Sequence, residues 1–246
     1  MKIELFENET LEDLQCGGLK LIQNRNGFRF GTDAVLLADF AKSVHSNKTL
    51  DLCSGTGIIP ILLSHKTKTA EFHALEIQKD VAETAMRSIA LNGLTERINF
   101  KCGDLKNADR EYPAAYFDLI TCNPPYMESG SAILNETDAK IISRHEVMCN
   151  LDDIFAVSAR LLRFGGHICM VHRPNRLVDV LAKMREHSIE PKVIRFVHAS
   201  VEKAPILFLV DGMYQAKRDV KILPPLILYN KEGHESEELK KIYERI

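Results

Sequence analysis

The chain has 246 residues, 45% of them hydrophobic and 27% charged, the proportions of an ordinary folded protein. Its 32 Lys+Arg against 34 Asp+Glu leave a net charge of −2, which is not the balance of an obvious nucleic-acid binder. The opening MKIELFENET lacks the apolar core of a signal peptide and no run approaches 18 apolar residues, so a soluble, cytoplasmic protein without a membrane partner is expected.

Gly17 to Gly31 predicts a hairpin. Its arms are residues 19–23 and 28–30, around Asn24-Arg25-Asn26-Gly27, a strong turn signal. Thr32 is a good N-cap for an apolar-periodic helix over 34–42. Residues 1–45 thus read as a hairpin-and-helix extension, and 46–246 as the core, of a single domain.

Residues 48–53 (KTLDLC) read as a short buried strand closed by a Gly-rich turn, and 57–65 as the helix that follows. Gly55 and Gly57 let the backbone turn tightly and approach a ligand with no Cβ in the way. A dinucleotide fingerprint would place its third glycine where Pro60 stands, so a nicotinamide or flavin site is disfavoured. The plain alternative is an ordinary strand-to-helix turn.

Two carboxylates shift that balance. Strand 70–77 ends at Glu76, 19 residues after Gly57, where an acid accepts hydrogen bonds from ribose hydroxyls. Strand 97–103 ends in a Gly-Asp turn at Asp104, whose carboxylate could accept from an adenine amine. Each alone reads as readily as a helix cap or a solvated turn residue. Between them, helix 79–92 carries Val81, Ala85, Ile89 and Asn92 on one stripe, with Glu83 and Arg87 as an i,i+4 pair outside it.

A fourth strand, 117–122, runs straight into Asn123-Pro124-Pro125-Tyr126. Two prolines lock that turn and remove two N–H donors. What remain are carbonyl acceptors and the Asn amide, a set suited to drawing on the hydrogens of a substrate NH2 group. Tyr126 adds an aromatic face on which a planar group can stack. The alternative is a proline-stiffened loop.

Residues 127–149 are the least regular stretch, and directly after such a turn they read as a substrate-gated loop. Arg144, His145 and Glu146 at its end either contact substrate phosphate or anchor the loop by ion pairing. Then follow a helix over 151–162 capped by Asn150, a strand at 167–172 and a helix over 175–187. Strands at 192–198 and 206–210, expected as a paired edge, an extended piece at 224–229 and a charged helix over 236–245 complete the chain. The six cysteines are scattered singly and the nine histidines form no metal-spaced pair, so core thiols and no bound metal are expected. Residues 1–139 carry 14 Lys+Arg against 20 Asp+Glu, whereas residues 140–221 carry 14 against 9. A basic second half could hold phosphate backbone; a mixed solvated surface accounts for it equally well.

Taken together, DLCSGTG, Glu76, Asp104 and NPPY resemble the S-adenosylmethionine-dependent amino-methyltransferases. Phe28 to Leu37, Arg144-His145-Glu146 and Pro224-Pro225-Leu226-Ile227 add a narrower resemblance, to bacterial tRNA adenine-N6 methyltransferases that modify valine tRNA beside the anticodon. The resemblance implies an α/β fold with a doubly wound, mostly parallel seven-strand Rossmann-like sheet. It implies S-adenosylmethionine as cofactor, held by Thr32, Asp51, Ser54, Gly55, Gly57, Glu76, Asp104 and Asn123. Asn123, Pro124 and Tyr126 would be catalytic, tRNA the partner, and Arg29 and Arg144 contacts to it. Thr32 and Asp33 would then serve as lid residues, a capping role being the alternative. NPPY does not separate adenine from a glutamine amide or a guanine amine. A non-catalytic RNA-binding module on the same fold is the rival of another class.

Overall fold

Short apolar runs alternating with amphipathic helices bury strands between helical layers. A computed structural model describes residues 5–25, 31–125 and 150–245. A two-stranded antiparallel hairpin comes first, β1 (Glu9–Asp13) with β2 (Lys20–Asn24). Helix α1 (Thr32–Ala41) leads into the alternation β3 (Lys48–Leu52), α2 (Ile58–Lys66), β4 (Glu71–Glu76), α3 (Lys79–Leu91) and β5 (Ile98–Cys102). A one-turn helix α4 (Ala108–Glu111) precedes β6 (Phe117–Cys122). After residue 149 come α5 (Leu151–Leu161), β7 (Leu162–His172), α6 (Leu177–Glu186), β8 (Ile189–His198) and β9 (Pro205–Tyr214). Two-residue strands β10 (Lys221–Ile222) and β11 (Leu226–Ile227) and a short helix α7 (Glu237–Ile242) close the described chain.

The large sheet runs β10-β8-β9-β7-β6-β3-β4-β5, with β11 also paired to β8. The ladders joining β5, β4, β3, β6 and β7 are parallel, and β9 is antiparallel to both β7 and β8. Strand order reverses between β3 and β6, the switch point beside which open α/β sheets bind ligands. The seven-strand expectation therefore describes β3 to β9, and β10 and β11 extend the sheet at the β8 edge. Along β7, Ile168 and Met170 face one core while Cys169 and Val171 face the other. The core faced by Cys169 and Val171 holds the hairpin, α1, α2, α3 and α7, and that faced by Ile168 and Met170 holds α4, α5 and α6. Both sheet faces are thus covered, as a mostly parallel sheet requires.

Several local expectations are corrected. The partner of residues 20–24 is Glu9–Asp13, upstream of it; residues 28–30 lie outside the described chain. Helix α3 buries Ala85 and Ile89 as expected, with Ala82 and Ser88 in place of Val81 and Asn92. Glu83 stands 3.9 Å from Lys79, and Arg87 reaches across to the buried Glu9 of β1 at 3.0 Å. Strand β7 begins five residues earlier than expected, because the chain leaves α5 directly into the sheet and bulges between the Phe117 and Leu119 pairings. Of the cysteines, Cys16, Cys122 and Cys169 are buried, but Cys102 is exposed.

Candidate active site

The parallel strands β3, β4, β5 and β6 end side by side, and each delivers a polar residue at its carboxyl end. After β3 the chain turns through Cys53, Gly55 and Gly57, all left-handed, with φ of 55°, 54° and 79°. At Gly57 the left-handed backbone is what calls for glycine, since a Cβ there would stand at an ordinary packing distance of 3.4 Å from Ala85 and the Phe100 ring. At Gly55 nothing lies within 4 Å of that position, so the loop is open where a ligand would approach. The loop is tied to β4 by Ser54 N–H donating to the Leu75 carbonyl at 3.0 Å, and Gly57 N–H donates to the Ser54 carbonyl at 2.9 Å.

Glu76 fixes the other side. Its Oε2 accepts from Gly55 N–H at 2.9 Å, and its Oε1 accepts from the backbone and side-chain amides of Gln78 at 2.9 and 3.1 Å. A carboxylate offers about four acceptor sites. Three are engaged, and the carboxylate is aimed by backbone before any ligand arrives. Gly103 N–H donates to the Glu76 carbonyl at 2.9 Å and carries the chain into Asp104. Asp104 caps the next turn through Lys106 N–H at 2.9 Å, the capping alternative read from sequence.

Asp51 has another place. It is 1% exposed, and both its oxygens are taken by hydroxyls at 2.6 Å, Ser54 from the loop and Thr121 from β6. Burial pushes its carboxyl up to about 7; the two hydroxyl bonds pull the other way, and the charge of Glu76 adds to the rise. Asp51 therefore joins the Gly-rich loop to the strand that delivers Asn123. Leu52 and Cys122 are the last pair of the β3–β6 ladder, so Cys53 and Asn123 leave the sheet together. Asn123 is half-buried and Pro124 buried.

Thr32 does not join this group through any contact seen: it is the first residue of α1, behind an N-cap at Gly31, and hydrogen-bonds Tyr243. Its expected N-cap role falls to Gly31, because the chain enters the helix one residue earlier. Tyr126, Arg29 and Arg144 lie outside the described residues.

Three site residues went unread in the sequence. Thr121 and Gln78 are two, and a polar residue inside an otherwise apolar strand was the available signal for Thr121. His172 is the third. It is the last residue of β7, two beyond the Met170 that pairs with Cys122 at the end of β6. It is buried and stacked on Phe208 at 6.3 Å, and its Nδ1 accepts from Arg173 N–H at 2.8 Å. Burial first, then the charge of Arg176, lowers its pKa to about 4, so the ring is neutral at pH 7.

Comparison with known proteins adds the following. The model of the family described as Methyltransferase small domain matches residues 25–190. A tRNA1(Val) (adenine(37)-N6)-methyltransferase of Aeromonas salmonicida is 27% identical over 157 residues, 63% of this chain and 64% of that protein. A ribosomal protein uL3 glutamine methyltransferase of Bordetella pertussis is 37% identical over 84 residues, 34% of this chain and 27% of that protein. Among solved structures, a T. Thermophilus 16S rRNA N2 methyltransferase in complex with AdoMet and guanosine superposes with a TM-score of 0.60 at 16% identity, over 86% of this chain and 52% of that one. The chain spans about three fifths of the length of the first curated tRNA-modifying relatives it matches.

Proposed function

The chain belongs to the methyltransferase small domain family, and from that premise we propose that it methylates the exocyclic N6 of an adenine in tRNA, with S-adenosylmethionine as donor. One observation carries the reading. The open Gly55 loop, the amide-anchored Glu76, Asp104 and Asn123-Pro124 all sit at the ends of adjacent parallel strands at the switch point.

The residues present fit that donor. The Gly55–Gly57 loop would admit its amino-acid part, Glu76 would accept from a ribose hydroxyl at its remaining acceptor site, and Asp104 would accept from its adenine amine. When bound, it supplies an electrophilic methyl on a sulfonium. The chain's own work is positioning. The Asn123 side chain and the Pro124 carbonyl accept the two amine hydrogens and leave the nitrogen lone pair aimed at the methyl. Tyr126 stacks under the base. A proton on that nitrogen becomes acidic only as the new bond forms, so a strong base is not needed before attack. Positioning of this kind can supply up to ~7–11 kcal/mol of the barrier. The chain is read as a single domain, residues 1–45 being an extension of the core 46–246.

The uL3 glutamine relative favours a second reading, in which the accepted NH2 belongs to a glutamine side chain. Labelled methyl transfer from S-adenosylmethionine separates the two. The acceptors are total tRNA lacking the modification, rRNA, and ribosomal protein, with mass detection of the product. N6-methyladenosine in one tRNA is the expected result. Label in protein or rRNA instead moves the substrate. Tight donor binding with no label anywhere would leave a non-catalytic RNA-binding module.

A further inference from the structure

Three donor side chains of the kind that hold metals meet far from that site, from three distant parts of the chain. Cys16 lies in the connection between β1 and β2, His65 in the last turn of α2, and Glu244 just beyond α7. Their ligating atoms all lie within 4.8 Å of one another. His65 Nε2 stands 3.1 Å from each oxygen of Glu244.

The backbone is shaped around this cluster. Gly17 has φ 57°, and a Cβ there would fall 2.4 Å from Cε1 of His65. Only glycine lets the imidazole lie against the hairpin connection beside Cys16. Gln15 and Glu244 are both left-handed, at φ 51° and 56°, a conformation unfavourable for residues with a Cβ. Strain of this kind gathers where geometry is being held for a purpose.

We propose that Cys16, His65 and Glu244 bind one zinc ion. A thiolate, an imidazole and a carboxylate form a zinc donor set, whereas magnesium and calcium take oxygen. Donors around tetrahedral zinc, at bonds of about 2.0–2.3 Å, stand roughly 3.3–3.8 Å apart. The cluster needs to tighten by about an ångström. Three protein ligands leave the fourth position to water. On binding, the Cys16 S–H proton passes to solvent. The thiolate and the Glu244 carboxylate then balance the dication. Lys66, the next residue on α2, bonds Asp39 at 3.3 Å and the Ile242 carbonyl at 2.7 Å, and its charge also bears on Cys16 and Glu244, favouring their anionic forms. His65 is eight residues from Gly57, about 12 Å along the helix at 1.5 Å per residue. The ion would therefore clasp the hairpin connection, α2 and the C-terminal segment, outside the methyl-transfer chemistry. This departs from the expectation of no metal, because sequence spacing cannot show donors brought together from both ends of the chain.

The test uses the full chain, stripped with a chelator and then titrated with zinc chloride against a chromophoric competitor. Cobalt chloride gives a parallel spectrum. One equivalent of zinc is expected, bound at least tenfold more tightly than by Cys16→Ser, His65→Asn or Glu244→Gln. A sulfur-to-cobalt charge-transfer band should appear in the wild type and vanish in Cys16→Ser. Cys102→Ser, at an exposed cysteine, should leave both unchanged. Absence of a one-to-one uptake by the wild type, or equal uptake by Cys16→Ser, overturns the proposal. If Cys16→Ser does not fold, Glu244→Gln decides: affinity equal to wild type, or cobalt binding without the thiolate band, overturns it equally.

Discussion

At the scale of single residues, two acids with similar sequence signals have different work. Glu76 presents its carboxylate at a strand end, while Asp51 spends both oxygens on Ser54 and Thr121. Asn123→Ala is expected to nearly abolish methyl transfer while leaving donor affinity almost intact. Glu76→Ala is expected to weaken donor binding first. Turnover assays and calorimetry read the two apart, and a turnover within a few-fold of wild type for Asn123→Ala would remove that residue from the chemistry. Asp51 has a signature in stability. Its folded pKa is about 7 against 3.8 for the ordinary group, so folding takes up a proton between those values and stability falls as pH rises through them. His172 acts in the opposite sense. Its folded value is about 4 against 6.5, so folding releases a proton and stability rises over that window. In the wild type the slopes oppose each other from pH 4 to 6.5. Asp51→Asn should uncover the rise from His172, up to a few kcal/mol, in denaturant unfolding at successive pH values. A profile as shallow as the wild type's would refute the Asp51 assignment. Gly55, Glu76 and Asn123 were legible because a strand followed by a glycine turn or an acid is a local pattern. The Thr32 contact with Tyr243 was not, since its partner lies at the other end of the chain.

At the scale of elements, the hairpin is held to α3 by polar side chains that complete its hydrogen bonding. Ser88 Oγ accepts from Ile22 N–H at 3.0 Å, and Asn92 both accepts from Lys20 N–H at 2.9 Å and donates to its carbonyl at 2.7 Å. Helix α3 thus stands where a third strand would. Ser88→Ala would strand a buried N–H, at a cost of about 1–3 kcal/mol. Chemical denaturation measures it, and a loss below about 0.5 kcal/mol would show that Ile22 has found another partner. The same arrangement explains why Ser88 was absent from the α3 stripe: it is buried for its hydroxyl, and an apolar count passes over it. Strand β1 was missed for a related reason. Only Glu9 of its five residues is buried, so the strand carries no apolar alternation. The Asn24 to Gly27 turn signal was the stronger local cue, and it pointed to residues 28–30, outside the described chain, and away from Glu9–Asp13.

Across the whole molecule, the doubly wound architecture was readable because each strand–helix unit announces itself locally. The antiparallel β9 and the bulged entry of β7 were not, being settled by how the last strands pack against those already placed. The topology also distributes charge. The net-positive residues 140–221 include β7, β8 and β9, on the side of the sheet next to β6 and Asn123. Arg176 follows the end of β7, 2.7 Å from Asp179 and partly exposed. If tRNA backbone lies there, Arg176→Ala is expected to weaken binding to all tRNA sequences alike. The slope of log affinity on log salt should drop by about one unit. Filter-binding at several salt concentrations tests this, and an unchanged slope would place the RNA elsewhere.

The hairpin has one more consequence, for how copies of the chain meet in solution. β2 spends its outward edge on Ser88 and Asn92, but β1 ends the small sheet, and among the described residues no further strand pairs with it. An edge with no neighbouring strand is a template on which a foreign strand can grow. Glu9 is buried against Arg87, but Glu12 and Asp13 place two adjacent negative charges at that rim. Any like strand that approached would bring the same charges with it. The polarity that hid β1 from view is therefore also a guard against fibril-like addition.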